Sequence, residues 1–455
     1  MDSTSAVTQS SNWLNLLPRA LQQRLHGRHN LLAVLQNSGW LVLDKMLRLA
    51  LGLLVGAWVA RYLGPAQYGE LAYVLAYIAF FQAVATLGLD GIVVRDIAQN
   101  RDQASTVLGT AFALRLSVGV ICWIAAIGSM AWLNGLHDRS VLLTALAGGS
   151  LVFQAADTVD LWFQSQSQSR LTVLAKLTAY SISSGVKVAL ILSGAPLVAF
   201  AAVMVLDGLT AAIGLAVAYK RLPCSKRWSR AASTARQLLS ESWPFILSGI
   251  SIMVYMRIDQ IMIKEMLGTQ QLGIYAAVLP LATLWQFIPM MLNASLAPFV
   301  ARKKAESEAA YWQALQKIFK AYALLGWLVC IPTVVFANLA VSILYGSQYQ
   351  QGAMVLSIYV FTNFSINMGV AQGLWLLNER KAIISLARTI IGALITIIGN
   401  WLLIPYFGIT GVAVVAVVAM AIAAIFSNIF FSKKILALQI KSLLLINFYK
   451  TKYAH

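Results

Sequence analysis

From about residue 40 onward the chain alternates long apolar runs with short polar breaks. A helix needs about 20 mostly apolar residues to cross the hydrocarbon of a bilayer, and these runs have that length. The pattern predicts twelve such segments, over roughly 40–61, 70–89, 107–133, 141–161, 171–193, 197–219, 243–263, 273–299, 319–338, 352–376, 382–404 and 409–431. Lipid leaves helices and closed barrels as the only spanning structures, and runs of this length point to helices. The predicted fold class is an all-α integral membrane protein of about twelve transmembrane helices.

Composition agrees with that solvent. Hydrophobic residues make up 59% of the chain and charged ones 11%, and the mean hydropathy is +0.74. Charge adds an orientation. If the segments alternate, the side holding both termini and the even-numbered connections carries 23 Lys and Arg, against 3 opposite: Arg61, Arg139 and Lys264. Basic residues are retained on the cytoplasmic side during insertion, so both termini are expected there. The net charge of +18 is accordingly a topology signal, with nothing suggesting nucleic-acid binding. The first thirty residues lack an apolar core of signal-peptide type, so the first segment is expected to act as an uncleaved anchor.

The polar breaks repeat. LGPAQYG, Leu63 to Gly69, returns as LGTQQLG, Leu267 to Gly273, at an offset of 204 that also matches Ala72 to Ala276, Val74 to Val278 and Leu75 to Leu279. Both turns fall on the same, outer side, as parallel repeats about an axis along the membrane normal require. The predicted organisation is a cytoplasmic tail (1–39), a six-helix lobe (40–219), a basic linker (220–240), a second six-helix lobe (241–431) and a basic tail (432–455), with a central cavity between the lobes. Pro280, Pro289 and Pro298 recur every nine residues in the eighth segment. Each removes a backbone donor, giving either a fixed bend or a gate.

Ionisable residues inside a membrane are costly and mark function or pairing. Asp44 and Arg48 are four apart and can pair, and Gly52, Gly56 and Ala60 continue that face. This face can be a small-residue packing seam or the wall of a cavity. Lys176, Tyr180, Ser183 and Lys187 share one helical face, a stripe roughly 16 Å long at about 1.5 Å per residue. Two cations with hydroxyls between them suit an anionic, sugar-bearing ligand. Ser248, Ser251, Tyr255 and Asp259 form a similar face, with Arg257 about 200° away at about 100° per residue. Arg115, Asp157, Asp160, Asp207 and Arg388 stand as isolated candidates, with Asp207 suited to counter a cation or to take part in coupling. Asp90, Arg95 and Asp96 read as a helix-end cap or a gate latch.

Other chemistry has no carrier here. No polar connection is long enough for a folded catalytic unit of about 50 residues. The chain has no phosphate-binding G-x-x-x-x-G-K-[ST] loop and no H-E-x-x-H pair, and its histidines lie in tails or loops. Cys122, Cys224 and Cys330 have no paired spacing. No cofactor, metal or catalytic residue is expected.

The run DKMLRLALGLLVGAWVARYLGPAQYGELAYVLA, followed by LGLDGIVVR, RIDQIMIKEMLGTQQLGIYAAV and LYGSQY, resembles the polysaccharide transporter branch of the multidrug/oligosaccharidyl-lipid/polysaccharide exporter superfamily. The resemblance spans Trp40 to about Phe431. It implies a flippase that alternates between inward-open and outward-open states. Its cargo would be a polyprenyl-pyrophosphate-linked oligosaccharide, an O-antigen or other surface polysaccharide unit, carried to the periplasmic leaflet of the inner membrane. Arg48, Lys176, Lys187 and Arg257, with Arg115 behind them, are then the candidate pyrophosphate ligands. Tyr180, Ser183, Tyr255 and Ser251 are the sugar contacts. Asp44, Asp90, Asp207, Asp259, Pro280 and Pro289 are the gating or coupling residues. Expected partners are the lipid-linked oligosaccharide, membrane lipid, and polymerase and chain-length machinery.

Two rivals remain in view. A drug or cation antiporter of the same superfamily would favour an acidic or neutral cavity. A membrane polysaccharide polymerase would carry a large external loop with clustered catalytic residues.

Overall fold

The computed structural model describes residues 29–166, 168, 170–221 and 228–446. Every regular element among them is helical. Counting helices of eight residues or more, these are α1 (His29–Ala85), α2 (Asp90–Gln99), α3 (Ala104–Asn134), α4 (Arg139–Gly148), α5 (Asp157–Ser165), α6 (Arg170–Leu192), α7 (Leu197–Lys220) and α8 (Ala232–Leu267). There follow α9 (Thr269–Thr283), α10 (Phe287–Glu306), α11 (Glu308–Tyr345), α12 (Gly352–Tyr359), α13 (Thr362–Asn378), α14 (Ala382–Ala421) and α15 (Lys433–Leu443). Among the described residues ten helical stretches are long and apolar enough to cross a membrane. The first and last of them each hold two of the segments expected from sequence. Each is broken by a glycine with positive φ: Gly64 (φ 72, ψ 167) and Gly408 (φ 56, ψ −142).

The repeated turns share one backbone conformation. Gly268 (φ 88, ψ 174) matches Gly64, 204 residues earlier, in a region where a Cβ would clash. The two copies also pack on each other. A Cβ on Gly69 would lie 1.8 Å from the carbonyl oxygen of Thr269, and one on Gly273 would lie 1.8 Å from that of Pro65. Thr269 is the repeat equivalent of Pro65, and Gly273 that of Gly69, so the contact is reciprocal, as at a two-fold axis.

Around this contact the outer ends are sealed. Leu71, Tyr73 and Val74 share a core with Leu272, Tyr275 and Val278. The Tyr349 hydroxyl donates to the Ala60 carbonyl at 2.6 Å, and Lys264 donates to Asn134 Oδ1 at 2.8 Å. Toward the basic side the same helices part. In α1 no residue from Asp44 to Gly56 is buried, whereas Ala57, Val59 and Ala60 are. In the continuation of α9 into α10, seven residues of Thr269–Thr283 are buried but only Pro289 and Val300 of Phe287–Glu306. The halves at the Gly69–Gly273 contact close, and those of α1 and α10 toward the basic side splay.

Three boundaries differ from the sequence reading. Residues 232–240, expected as linker, are the first turns of α8, and Leu238 is buried against Leu89 and Leu161. The C-terminal tail is helical over Lys433–Leu443 and lays Ile435 and Leu438 into the core beneath α11. The N-terminal tail lies outside the described residues up to 28, and α1 already runs from His29.

Because Gly69 touches backbone, Gly69→Val is expected to cost about 1–3 kcal/mol by overpacking and to lower the melting temperature of the solubilised protein by several degrees. Gly128→Ala, where a Cβ meets nothing within 4 Å, should leave it unchanged. Equal melting temperatures for the two variants would contradict the contact.

Candidate substrate cavities

The splayed inner half of α1 faces α6 and α7 across two adjoining cavities that share Leu75 and Met204 in their walls. The larger, about 400 Å³, is lined by Arg48, Gln82, Gln154, Asp157, Lys176 and Asp207 among others. The smaller, about 160 Å³, is lined by Gly52, Gly56, Tyr180, Ser184 and Lys187. Arg48 joins them. Its Nε donates to Asp44 Oδ1 at 2.7 Å, as the four-residue spacing predicted, and its guanidinium lies over the Tyr180 ring at 5.4 Å. A Cβ on Gly52 would sit 2.7 Å from the Tyr180 hydroxyl, so the glycine one turn after Arg48 makes room for that tyrosine. Arg48 Nη2 is buried with no hydrogen-bond partner, and so is Gln154 Oε1 on the cavity wall. An unsatisfied buried donor costs about 1–3 kcal/mol, more for a charged group, so Arg48 is poised for an anion.

The other cations divide sharply. Lys176 Nζ is held by Asp157 Oδ1 and Asp160 Oδ2, each at 2.8 Å, and its charge is spent on them. Arg115 lies away from both cavities. It donates through Nη2 to Asp90 Oδ1 at 2.6 Å and to the Thr86 carbonyl at 3.2 Å, tying α2 to α3. These two expected phosphate ligands are therefore matched to carboxylates brought from other helices. Lys187 makes no ion pair or hydrogen bond among the described residues, and Asp207 acts on it only from a distance. Arg257 is exposed and lines neither cavity.

The expected hydroxyl contacts also separate. Ser183 is fully buried and donates to the Tyr180 carbonyl, whereas Ser184 lines the cavity. Ser251 turns its hydroxyl back to the Leu247 carbonyl at 2.9 Å. Tyr255 lines a third cavity, in the second half of the chain, with Arg388. Asp259 does not share that cavity. It is buried and accepts from the Tyr275 hydroxyl at 2.5 Å and the Gln260 amide at 2.8 Å. Pro280 and Pro289 bracket a 3₁₀ turn, Leu284–Gln286, where the helix changes course.

At the basic edge Arg95 bridges Asp96 at 2.7 Å and Glu241 at 2.6 Å, linking α2 to α8. The hydrogen bond from Arg95 holds the Glu241 carboxyl below its usual range, a surface effect of small energetic weight.

Residues 34–304, more than half of the chain, match the family described as polysaccharide biosynthesis protein. The chain belongs to that family. No curated protein matches it. Among solved structures it is similar to the lipid II flippase MurJ in an inward closed conformation, with a TM-score of 0.68 and 11% identity over 90% of this chain and 91% of that one. It is similar also to a multidrug resistance MATE family transporter of the MOP superfamily. The inward-facing form gives 0.64 and 16% identity, covering 88% of this chain and 99% of that one. The outward-facing form gives 0.60 and 17%, covering 90% and 96%. At these identities the likeness establishes a shared fold. With the family match and the apolar helices it makes this a multi-pass membrane protein of the polysaccharide biosynthesis family.

Removing one partner of a partly buried ion pair strands the others. Lys176→Met is expected to lower the melting temperature by several degrees. The triple variant Lys176→Met, Asp157→Asn, Asp160→Asn should recover most of that loss. No recovery would show that Lys176 does not serve these carboxylates.

Proposed function

We propose that this protein is a flippase. It moves a polyprenyl-pyrophosphate-linked oligosaccharide repeat unit, of O-antigen or another surface or exopolysaccharide, from the cytoplasmic to the periplasmic leaflet of the inner membrane. The single observation that carries the reading is Arg48: a guanidinium with a buried, unpartnered nitrogen on the wall of the larger cavity. A diphosphate needs more than one cation, and Lys187, one cavity further along, supplies a second positive charge with no ion pair of its own. The planar fork of Arg48 would take two phosphate oxygens, the ammonium a third, and Tyr180 would lie against the first sugar. In a low-dielectric cavity such contacts count for much more than in water. The prenyl chain would remain in lipid between the two lobes, 40–219 and 241–431.

Alternating access follows from the same geometry. In this state the outer halves are closed on Gly69 and Gly273 while the inner halves stand apart. The reciprocal contact would open when the inner halves close, and the headgroup would leave on the opposite side. Pro280, Pro289 and the 3₁₀ turn between them would supply the bend in that movement. Both termini would lie in the cytoplasm, where 23 basic residues favour them.

A drug or cation antiporter would need a free carboxylate in the cavity. Asp157 is engaged by Lys176, which leaves Asp207, offset by Lys187 only from a distance, as the one carboxylate lining the larger cavity without an ion pair among the described residues.

In proteoliposomes loaded with a lipid-linked oligosaccharide, Arg48→Ala is expected to slow leaflet transfer at least about tenfold, an effect of roughly 1.4 kcal/mol. Arg48→Lys should be intermediate, and Lys303→Ala, on the exposed end of α10, should be without effect. Transfer by Arg48→Ala at the unmutated rate would overturn the proposal, as would Asp207-dependent export of a cationic dye.

A further inference from the structure

The third cavity, about 240 Å³, lies between α8, α13, α14 and the segment that follows α14, and is lined by Tyr255, Ser365, Gly369, Ser385, Arg388 and Thr389 among others. Arg388 is its only cation among the lining residues. No carboxylate pairs with it among the described residues. Neutral acceptors aim it instead. Its Nε donates to the Ala423 carbonyl at 2.7 Å and its Nη1 to Gln372 Oε1 at 2.8 Å. The Gln372 oxygen also accepts from Asn428 and Gln439, all three side chains being fully buried, so it cannot turn away from the arginine. The Ala423 carbonyl lies in a π-helical stretch, Ile422–Phe426, which exposes backbone oxygens that a regular helix would consume.

A guanidinium has five N–H groups. Two are bound by these contacts, leaving both hydrogens of Nη2 and one of Nη1. Nη2 points at Gly369, where a Cβ would sit 3.1 Å from it. The free edge thus presents a parallel pair of donors into a cavity kept open by a glycine.

The arrangement repeats that around Arg48 with its elements exchanged. There, arginine and glycine (Arg48, Gly52) come from the first segment and tyrosine (Tyr180) from the fifth. Here, arginine and glycine (Arg388, Gly392) come from α14 and tyrosine (Tyr255) from α8. A Cβ on Gly392 would lie 2.6 Å from the Tyr255 ring.

We propose that this cavity is a second anion subsite that binds the carboxylate of an acidic sugar. The proposal rests on the flippase reading and narrows its cargo to repeat units that contain a uronic or similarly acidic residue. Charge balance selects a carboxylate over the diphosphate. One guanidinium, with no second cation on the wall, neutralises a monoanion. Its paired donors match the two oxygens of a carboxylate, and the Tyr255 ring offers a face for the sugar's C–H groups.

The test uses the purified full chain in detergent, with thermal stabilisation read against millimolar methyl galacturonoside, methyl galactoside and inorganic pyrophosphate. The uronoside is expected to stabilise the protein and the neutral galactoside not. Arg388→Gln should weaken the uronoside effect roughly tenfold, equivalent to about 1.4 kcal/mol, and leave the pyrophosphate effect intact. Gly369→Ala, which narrows the cavity without altering charge, should weaken the uronoside effect as well and guards against a folding defect in Arg388→Gln. Arg48→Ala should remove the pyrophosphate effect alone. Equal stabilisation by the two glycosides overturns the proposal. So does a pyrophosphate effect that is lost in Arg388→Gln, which would make this a phosphate site. A pyrophosphate effect indifferent to Arg48 would instead count against the flippase reading.

Discussion

Two glycines touching backbone to backbone organise this protein. At Gly69 and Gly273 the helices approach so closely that no other side chain fits, and because the contact is reciprocal it lies on the axis relating the two halves of the chain. Helices that cross at one tight point must diverge on either side of it unless side chains fill the wedge. On the outer side Tyr73, Tyr275, Tyr345 and Tyr349 fill it. On the basic side α8 packs on the first half through Leu238 and the Arg95–Glu241 pair, while the halves of α1 and α10 that lie there are left uncovered. The cavities of the first half follow from that geometry.

Within the opening, partnership sorts the cations. Arg115 and Lys176 lie as deep as Arg48 by sequence position, yet each meets a carboxylate from a neighbouring helix. A paired charge holds helices together and offers little to a ligand. Arg48 is tethered by Asp44 through one edge and Arg388 by a glutamine and a carbonyl, and each lines a cavity with N–H groups left over. Tethering one edge fixes the orientation of the other, and a fixed fork loses less entropy on meeting an oxyanion. In the proposed reading these two arginines, one per half, hold the cargo's diphosphate and its acidic sugar.

Much of this was legible in the sequence where interactions are local. The apolar runs, the Leu-Gly-x-x-Gln-x-Gly repeat and the Asp44–Arg48 pair depend on neighbours within a turn or on an internal match, and the structure contains all three. Non-local partners were not legible. Nothing in the spacing of Lys176 indicates that Asp157 and Asp160 reach it across a turn, or that Asp90 takes Arg115. A helical wheel puts Ser183 on the Tyr180 face, but neighbouring helices bury it and leave Ser184 to the cavity. Arg388 stood out only as an isolated charge, because its two acceptors, Gln372 and the Ala423 carbonyl, come from separate elements distant in sequence. The spacing R-x-x-x-G occurs at Arg48–Gly52 and Arg388–Gly392 but also at Arg115–Gly119, whose arginine is paired with Asp90, so it does not by itself pick out the cavity arginines.

The central claim is that the unsatisfied face of Arg48 receives the diphosphate of a lipid-linked sugar. An experimental structure of the protein bound to a polyprenyl-pyrophosphate oligosaccharide tests it most directly. The account predicts diphosphate density within hydrogen-bonding distance of Arg48 Nη2, with Lys187 turned toward it and the prenyl chain leaving between the halves. Diphosphate density at Arg257 or on the exterior, with the Arg48 cavity filled only by solvent, would contradict it.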